Sequence, residues 1–120
     1  MEVIKPVNGE ELINSLAKKV FMECIEMLGG LKKLVEYRHL TWLPSLAEAA
    51  YVVVMKNEGL MNNMQIAEKL GITKQTVENI LRADEEEVKK FLQGDVEKVD
   101  EHKAGGLAKL AYKKIKNEGS

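Results

Sequence analysis

Apolar residues recur along this chain at three- and four-residue spacing, the period of a helix that buries one face. Over residues 10–28, Ile13, Leu16, Ala17, Val20, Cys24 and Met27 form such a stripe, with Lys18, Lys19, Glu23 and Glu26 largely between them. Gly29-Gly30 ends that segment, because glycine accepts the left-handed conformation that closes a helix. Leu31 to Tyr37 gives a short second helix. Arg38 to Leu43 reads as a connector, since Pro44 disfavours helix at the residue before it. Ser45 followed by Glu48 has capping-box spacing, so a third helix starts near Pro44 or Ser45. It runs through Leu46, Ala49, Ala50, Val53 and Val54 to about Asn57, and Gly59 closes it. Val52-Val53-Val54 alone would suggest a strand, but the Ala-rich lead-in and the cap favour helix. Three short helices follow: Asn63 to Leu70 ended by Gly71, Lys74 to about Ala83 capped by Thr73, and one opened by Asp84 with Glu87 and ended by Gly94. The last helix spans about 100–117. No alternating strand pattern and no Asn-Gly or Asp-Gly hairpin appears. The expectation is a single all-α domain over 1–120.

Residues 63–82 carry the one pattern with a mechanism. Ala67 is a small residue within a short amphipathic segment, Gly71 follows four residues later, then apolar Ile72, then a capped helix with Val77 and Ile80 facing inward. This is the pattern of a helix-turn-helix. Ala67 is small where the second helix crosses it. Gly71 supplies the positive φ of the turn. Ile72 plugs the hinge, and Ile66, Leu70, Val77, Ile80 and Leu81 pack the two helices together. Thr73 caps the second helix by satisfying its unpaired N–H groups. Lys74, Gln75, Glu78, Asn79 and Arg82 are then left on the outer face.

Two stretches, 46–50 and 60–82, resemble helix-turn-helix regulators of the sigma-factor-like class. More narrowly, residues 35–110 resemble a small prokaryotic family, mostly archaeal, of regulatory domains encoded beside relatives of the clock ATPase KaiC. The resemblance implies regulation or signal transduction without catalytic residues. It implies no particular ligand or operator; the complete motif favours double-stranded DNA as partner, and a KaiC-like ATPase is the rival.

Charge changes that picture. The net is −1, so the chain is not a globally basic nucleic-acid binder. Its distribution is uneven: residues 84–101 carry 3 basic and 8 acidic side chains, residues 102–120 carry 5 and 1. These neighbours can neutralise one another across a helix pair. A recognition helix usually offers Arg and Lys to phosphates, because counterion release supplies much of the affinity. Here Lys74 and Arg82 have Glu78 four residues from each, at the spacing of an ion pair with either. Asp84-Glu85-Glu86-Glu87 follows at once and would repel a phosphate backbone. The compensating charge must then come from Lys103, Lys109, Lys113, Lys114 and Lys116, or from a partner subunit.

The remaining signals favour ordinary roles. Cys24 lies in the apolar stripe of the first helix and reads as a buried, inert thiol. A single cysteine fits a reducing cytoplasm, and no apolar run approaches the length of a membrane span. His39 and His102 are too far apart in sequence to suggest a metal cluster; His39 and Trp42 read as anchors of the connector. Gly105-Gly106 lacks the form of a phosphate-binding loop and reads as a close helix crossing. No Ser/His/Asp set or catalytic carboxylate pair is visible, so neither an enzyme nor a cofactor is expected. The first reading is a cytoplasmic regulator binding DNA through Thr73, Lys74, Gln75, Glu78, Asn79 and Arg82. The rival is an adaptor docking on a KaiC-like ATPase. The apolar stripes of the first and last helices exceed what a small helix-turn-helix core needs, so a homodimer through them is expected.

Overall fold

The computed structural model describes residues 9–36, 42–92 and 101–118. They form seven helices, α1 (Gly9–Met27), α2 (Leu31–Glu36), α3 (Leu43–Asn57), α4 (Asn63–Leu70), α5 (Lys74–Arg82), α6 (Glu85–Leu92) and α7 (Glu101–Glu118). No strand occurs among the described residues. The class is all-α, and the Val52-Val53-Val54 triplet is helical.

α3 is the central post. Leu46, Ala49, Ala50 and the run from Val52 to Met55 are all buried. A helix apolar on nearly every side needs neighbours on every side. α1 and α7 cover it along its length, while α4 and α5 flank it. The β-branched triplet thus sits in a helix because tertiary burial outweighs its modest local preference for strand.

The start of α3 differs from the capping-box reading. α3 begins at Leu43 with Trp42 at the N-cap position, and no side chain caps it. Ser45 therefore lies inside the first turn. Pro44 occupies that turn too, where its missing N–H would have had no intrahelical partner. The ring closes one orphan position in the way a cap closes another. Trp42 is buried, as an anchor of the connector should be. His39 lies outside the described residues.

The apolar stripes of α1 and α7 are not surplus. Ile13, Ala17, Val20 and Cys24 on α1 and Ala104, Leu107, Ala108 and Ala111 on α7 are buried in the same core as α3. Those stripes cannot also face a second copy, so a homodimer built on them loses its footing. The reason is the breadth of α3, which exposes apolar surface toward both helices. Cys24 is fully buried, and its desolvation pushes the thiol pKa up to about 12, which leaves it protonated and unreactive at neutral pH. No described helix is long and apolar enough to cross a membrane.

Candidate nucleic-acid interface

α4 and α5 are joined by Gly71-Ile72-Thr73, and each end of this pair is closed by its own neighbours in sequence. At the start of α4, the Asn62 carboxamide oxygen accepts from the Gln65 N–H at 2.9 Å. The Gln65 side chain accepts in turn from the Asn62 N–H at 2.9 Å. This reciprocal cap was missing from the sequence reading because Asn62 and Asn63 are both plausible caps and Gln replaces the usual Glu. At the other end Gly71 adopts φ 69°. A side chain there would meet nothing within 4 Å, so the glycine serves backbone conformation and not space. Ile72 donates its N–H to the Ala67 carbonyl at 3.0 Å and packs against the core. The Thr73 hydroxyl accepts from the Thr76 N–H at 3.1 Å and caps α5.

α5 separates its apolar and polar faces more sharply than α1, α3, α4, α6 or α7. Val77 is buried, and Ile80 and Leu81 pack on the core. Thr73, Lys74, Gln75, Asn79 and Arg82 are exposed. The amides are linked before any ligand arrives: Gln75 Nε2 donates to Asn79 Oδ1 at 3.0 Å. Arg82 reaches the same oxygen through Nη2 in a long contact of 3.4 Å. Gln75, Asn79 and Arg82 thus form one connected row of hydrogen-bonding groups.

Glu78 departs from the outer-face reading. It is only half-exposed, and it lines a shallow depression with Lys56, Asn62, Asn63, Met64 and Lys74. It makes no ion pair with Lys74 or Arg82 among the described residues. Arg82 bonds the Glu78 backbone carbonyl at 3.4 Å and turns toward Asn79 instead. Lys56, from the far end of α3, enters this depression and is held by a 3.1 Å bond from Nζ to Asn63 Oδ1. Nothing local in the sequence pointed to it.

The lysines expected to supply compensating charge are mostly engaged inside the fold. Lys109 Nζ donates to the Leu81 carbonyl at the end of α5, at 2.8 Å. Lys113 pairs with Glu85 at 2.7 Å, Lys114 with Glu23 at 2.9 Å, and Lys116 with Glu58 at 3.1 Å. Of these contacts only Lys113–Glu85 joins the basic stretch to the acidic one; the others reach α1, the end of α3 and the end of α5. Asp84 is a cap: its carboxylate accepts from the Glu86 N–H at 2.9 Å. Beside Asn79 and Arg82 lies an open cleft of about 530 Å³ whose other walls include Ser45, Glu48, Asp84 and Glu87. The exposed row therefore has a polar, cationic end near Lys74 and an acid-walled flank near Arg82.

Two small residues fix where this row sits. A Cβ on Gly105 would lie 2.5 Å from the Ile80 carbonyl oxygen, and one on Gly106 would lie 2.9 Å from the Asp84 carbonyl oxygen. α7 therefore touches the backbone at the end of α5 and the start of α6. No group of three or more His, Cys, Asp and Glu able to hold a metal occurs among the described residues. No family model, curated protein or solved structure matches this chain.

Proposed function

We propose that this protein is a regulator that binds duplex DNA through a helix-turn-helix, with α5 as the recognition helix. What supports it is the exposed row of Lys74, Gln75, Asn79 and Arg82 on a helix whose other face is buried. The two amides have the donor and acceptor groups that suit adenine N6 and N7 in the major groove. Thr73 and Lys74 stand at a helix N-terminus, where N–H groups and a cation favour phosphate. Glu78 stands to one side of the row, half-buried in the depression beside Lys74, which weakens the opposition its charge offers. Binding is modest and salt-sensitive, because most C-terminal lysines are already paired.

The test is a salt titration of binding to random duplex DNA, followed by fluorescence anisotropy. Log affinity should fall steeply with log salt. Lys74→Ala should weaken all sequences alike and make the slope shallower by about one unit. Asn79→Ala should cost about 1–3 kcal/mol on a preferred site and little on random DNA. Absence of binding at low salt would sink the proposal.

A second reading draws on the acid-walled cleft. Glu48, Asp84 and Glu87 beside Arg82 suit a polar or basic segment of a protein better than a phosphate backbone. Under this reading the same face docks on a protein such as a KaiC-like ATPase. Glu87→Gln separates the two: it should leave or raise DNA affinity if DNA is the ligand, and weaken capture of the ATPase if the adaptor reading holds.

A further inference from the structure

The solvent face of α1 has a pattern that its buried face does not explain. Lys18, Met22 and Glu26 stand one turn apart on one stripe. All three are exposed, and Met22 keeps 39% of its surface in water. With Ser15, Lys19 and Ile115 of α7 they line a groove of about 510 Å³. Among the described residues Lys18, Lys19 and Glu26 make no ion pair, whereas neighbouring Glu23 is tied to Lys114. Among the described residues the exposed large apolar side chains are Leu12 and Met22 on α1, Leu31 and Val35 on α2, and Leu60 and Met64 at the approach to and start of α4. Met22 is an apolar centre rimmed by Lys18, Lys19 and Glu26, the arrangement of an interface core with a polar rim.

We infer that this face is a two-fold interface between copies of the chain, with two α1 helices crossing antiparallel at Met22. The charges select that occupant. Lys18 is one turn before Met22 and Glu26 one turn after it. A two-fold axis through Met22 therefore brings Lys18 of each copy opposite Glu26 of the other, giving two ion pairs from one pattern. A parallel pairing would set like charges against each other. An isologous interface requires this kind of self-complementary patch. Met22 of one copy seats over the groove floored by Ile115 of the other. The same antiparallel arrangement brings the end of α1 bearing Leu12 alongside the end bearing Leu31. None of the groove-lining residues belongs to α4 or α5, so the pairing leaves both recognition faces open and is independent of what those faces bind.

Sedimentation velocity over a concentration series tests the interface on the full chain. The native chain should sediment as a dimer at about 100 µM. Met22→Glu should sediment as a monomer. Lys18→Glu alone, or Glu26→Lys alone, should weaken dimerisation by roughly tenfold, since each replaces two attractions with two repulsions. The double variant Lys18→Glu/Glu26→Lys restores complementarity and should recover the dimer. All three positions are solvent-facing, so thermal unfolding followed by circular dichroism should show each of the four variants folded. A native chain that stays monomeric, a Met22→Glu variant that stays dimeric, or a double variant no better than its singles would each overturn the inference.

Discussion

The α4–α5 pair and the seam between α5 and α7 hold α5 in opposite ways. The pair is secured by residues that are near in sequence: Asn62 with Gln65, Thr73 with Thr76, and Gly71 closing α4. Its reach along the chain is three or four residues at a time. The seam is secured across more than twenty residues, by Gly105 against Ile80 and Lys109 on the Leu81 carbonyl. Local caps decide that α5 is a helix and where it begins. The seam decides where that helix points. A small protein that presents a polar helix needs both, because a capped helix of nine residues has little stability of its own in water.

The largest effects should come from α7, at the seam and in the core it shares with α3. Gly105→Ala places a methyl 2.5 Å from the Ile80 carbonyl, and a backbone oxygen cannot swing aside as a side chain can. The variant should lose about 2–3 kcal/mol in urea unfolding, despite the better helix propensity of Ala. It should also weaken DNA binding, since α5 must move to admit the methyl. A truncation in the shared core, Leu107→Ala, should cost about 2–5 kcal/mol without that selective displacement of α5, which separates loss of packing from loss of aim.

Breaking the local pair should cost less. Gly71→Ala meets open space but puts an alanine at φ 69°; the expected loss is about 1 kcal/mol, from backbone conformation alone. Thr73→Ala removes the cap of α5 and should also cost about 1 kcal/mol, whereas Thr73→Ser should be nearly silent. Equal losses for Gly71→Ala and Gly105→Ala would erase the distinction between the two regions.

The smallest effect lies at the far end of α7, where the Tyr112 hydroxyl and Lys116 both bind the Glu58 carboxylate. The hydrogen bond from Tyr112, then that from Lys116, holds the Glu58 pKa below the usual carboxylate range. A lowered folded pKa contributes stability above the unfolded carboxylate pKa, and that stability is lost as pH falls through the folded value. Burial, then the Glu58 hydrogen bond, pushes Tyr112 up to about 12. A raised folded pKa contributes stability that is complete below about pH 10 and disappears as pH rises toward 12. Tyr112→Phe should flatten both limbs of a stability–pH curve while costing about 1 kcal/mol or less at neutral pH, since the site is partly open to water. Unchanged limbs would remove the cluster from the account of what ties α3 to α7.

Much of the local architecture was readable in the residue order. Helix boundaries at Asn63, Leu70 and Lys74 follow from caps and a turn glycine that act within one or two turns. The site was legible only in part. Thr73, Lys74, Gln75, Asn79 and Arg82 fall on the exposed face because helical period places them there. Glu78 and Lys56 did not follow from that period. Glu78 is drawn to a depression formed with the start of α4, and Lys56 arrives from the end of α3. Both depend on how three helices meet, which no single helical wheel contains.

The sequence by itself determined the all-α class, the helix pair over 63–82, the buried and unreactive state of Cys24, and the close crossing at Gly105-Gly106. Each is set by composition, period or steric demand within a few residues. Tertiary structure alone decided that the apolar stripes of α1 and α7 serve α3 rather than a partner. It also decided that the C-terminal lysines bind Glu23, Glu58, Glu85 and the Leu81 carbonyl instead of remaining available to phosphates. An apolar stripe and a charge specify what kind of neighbour they need, not which one. The neighbour is chosen when α3 fixes the position of every helix around it.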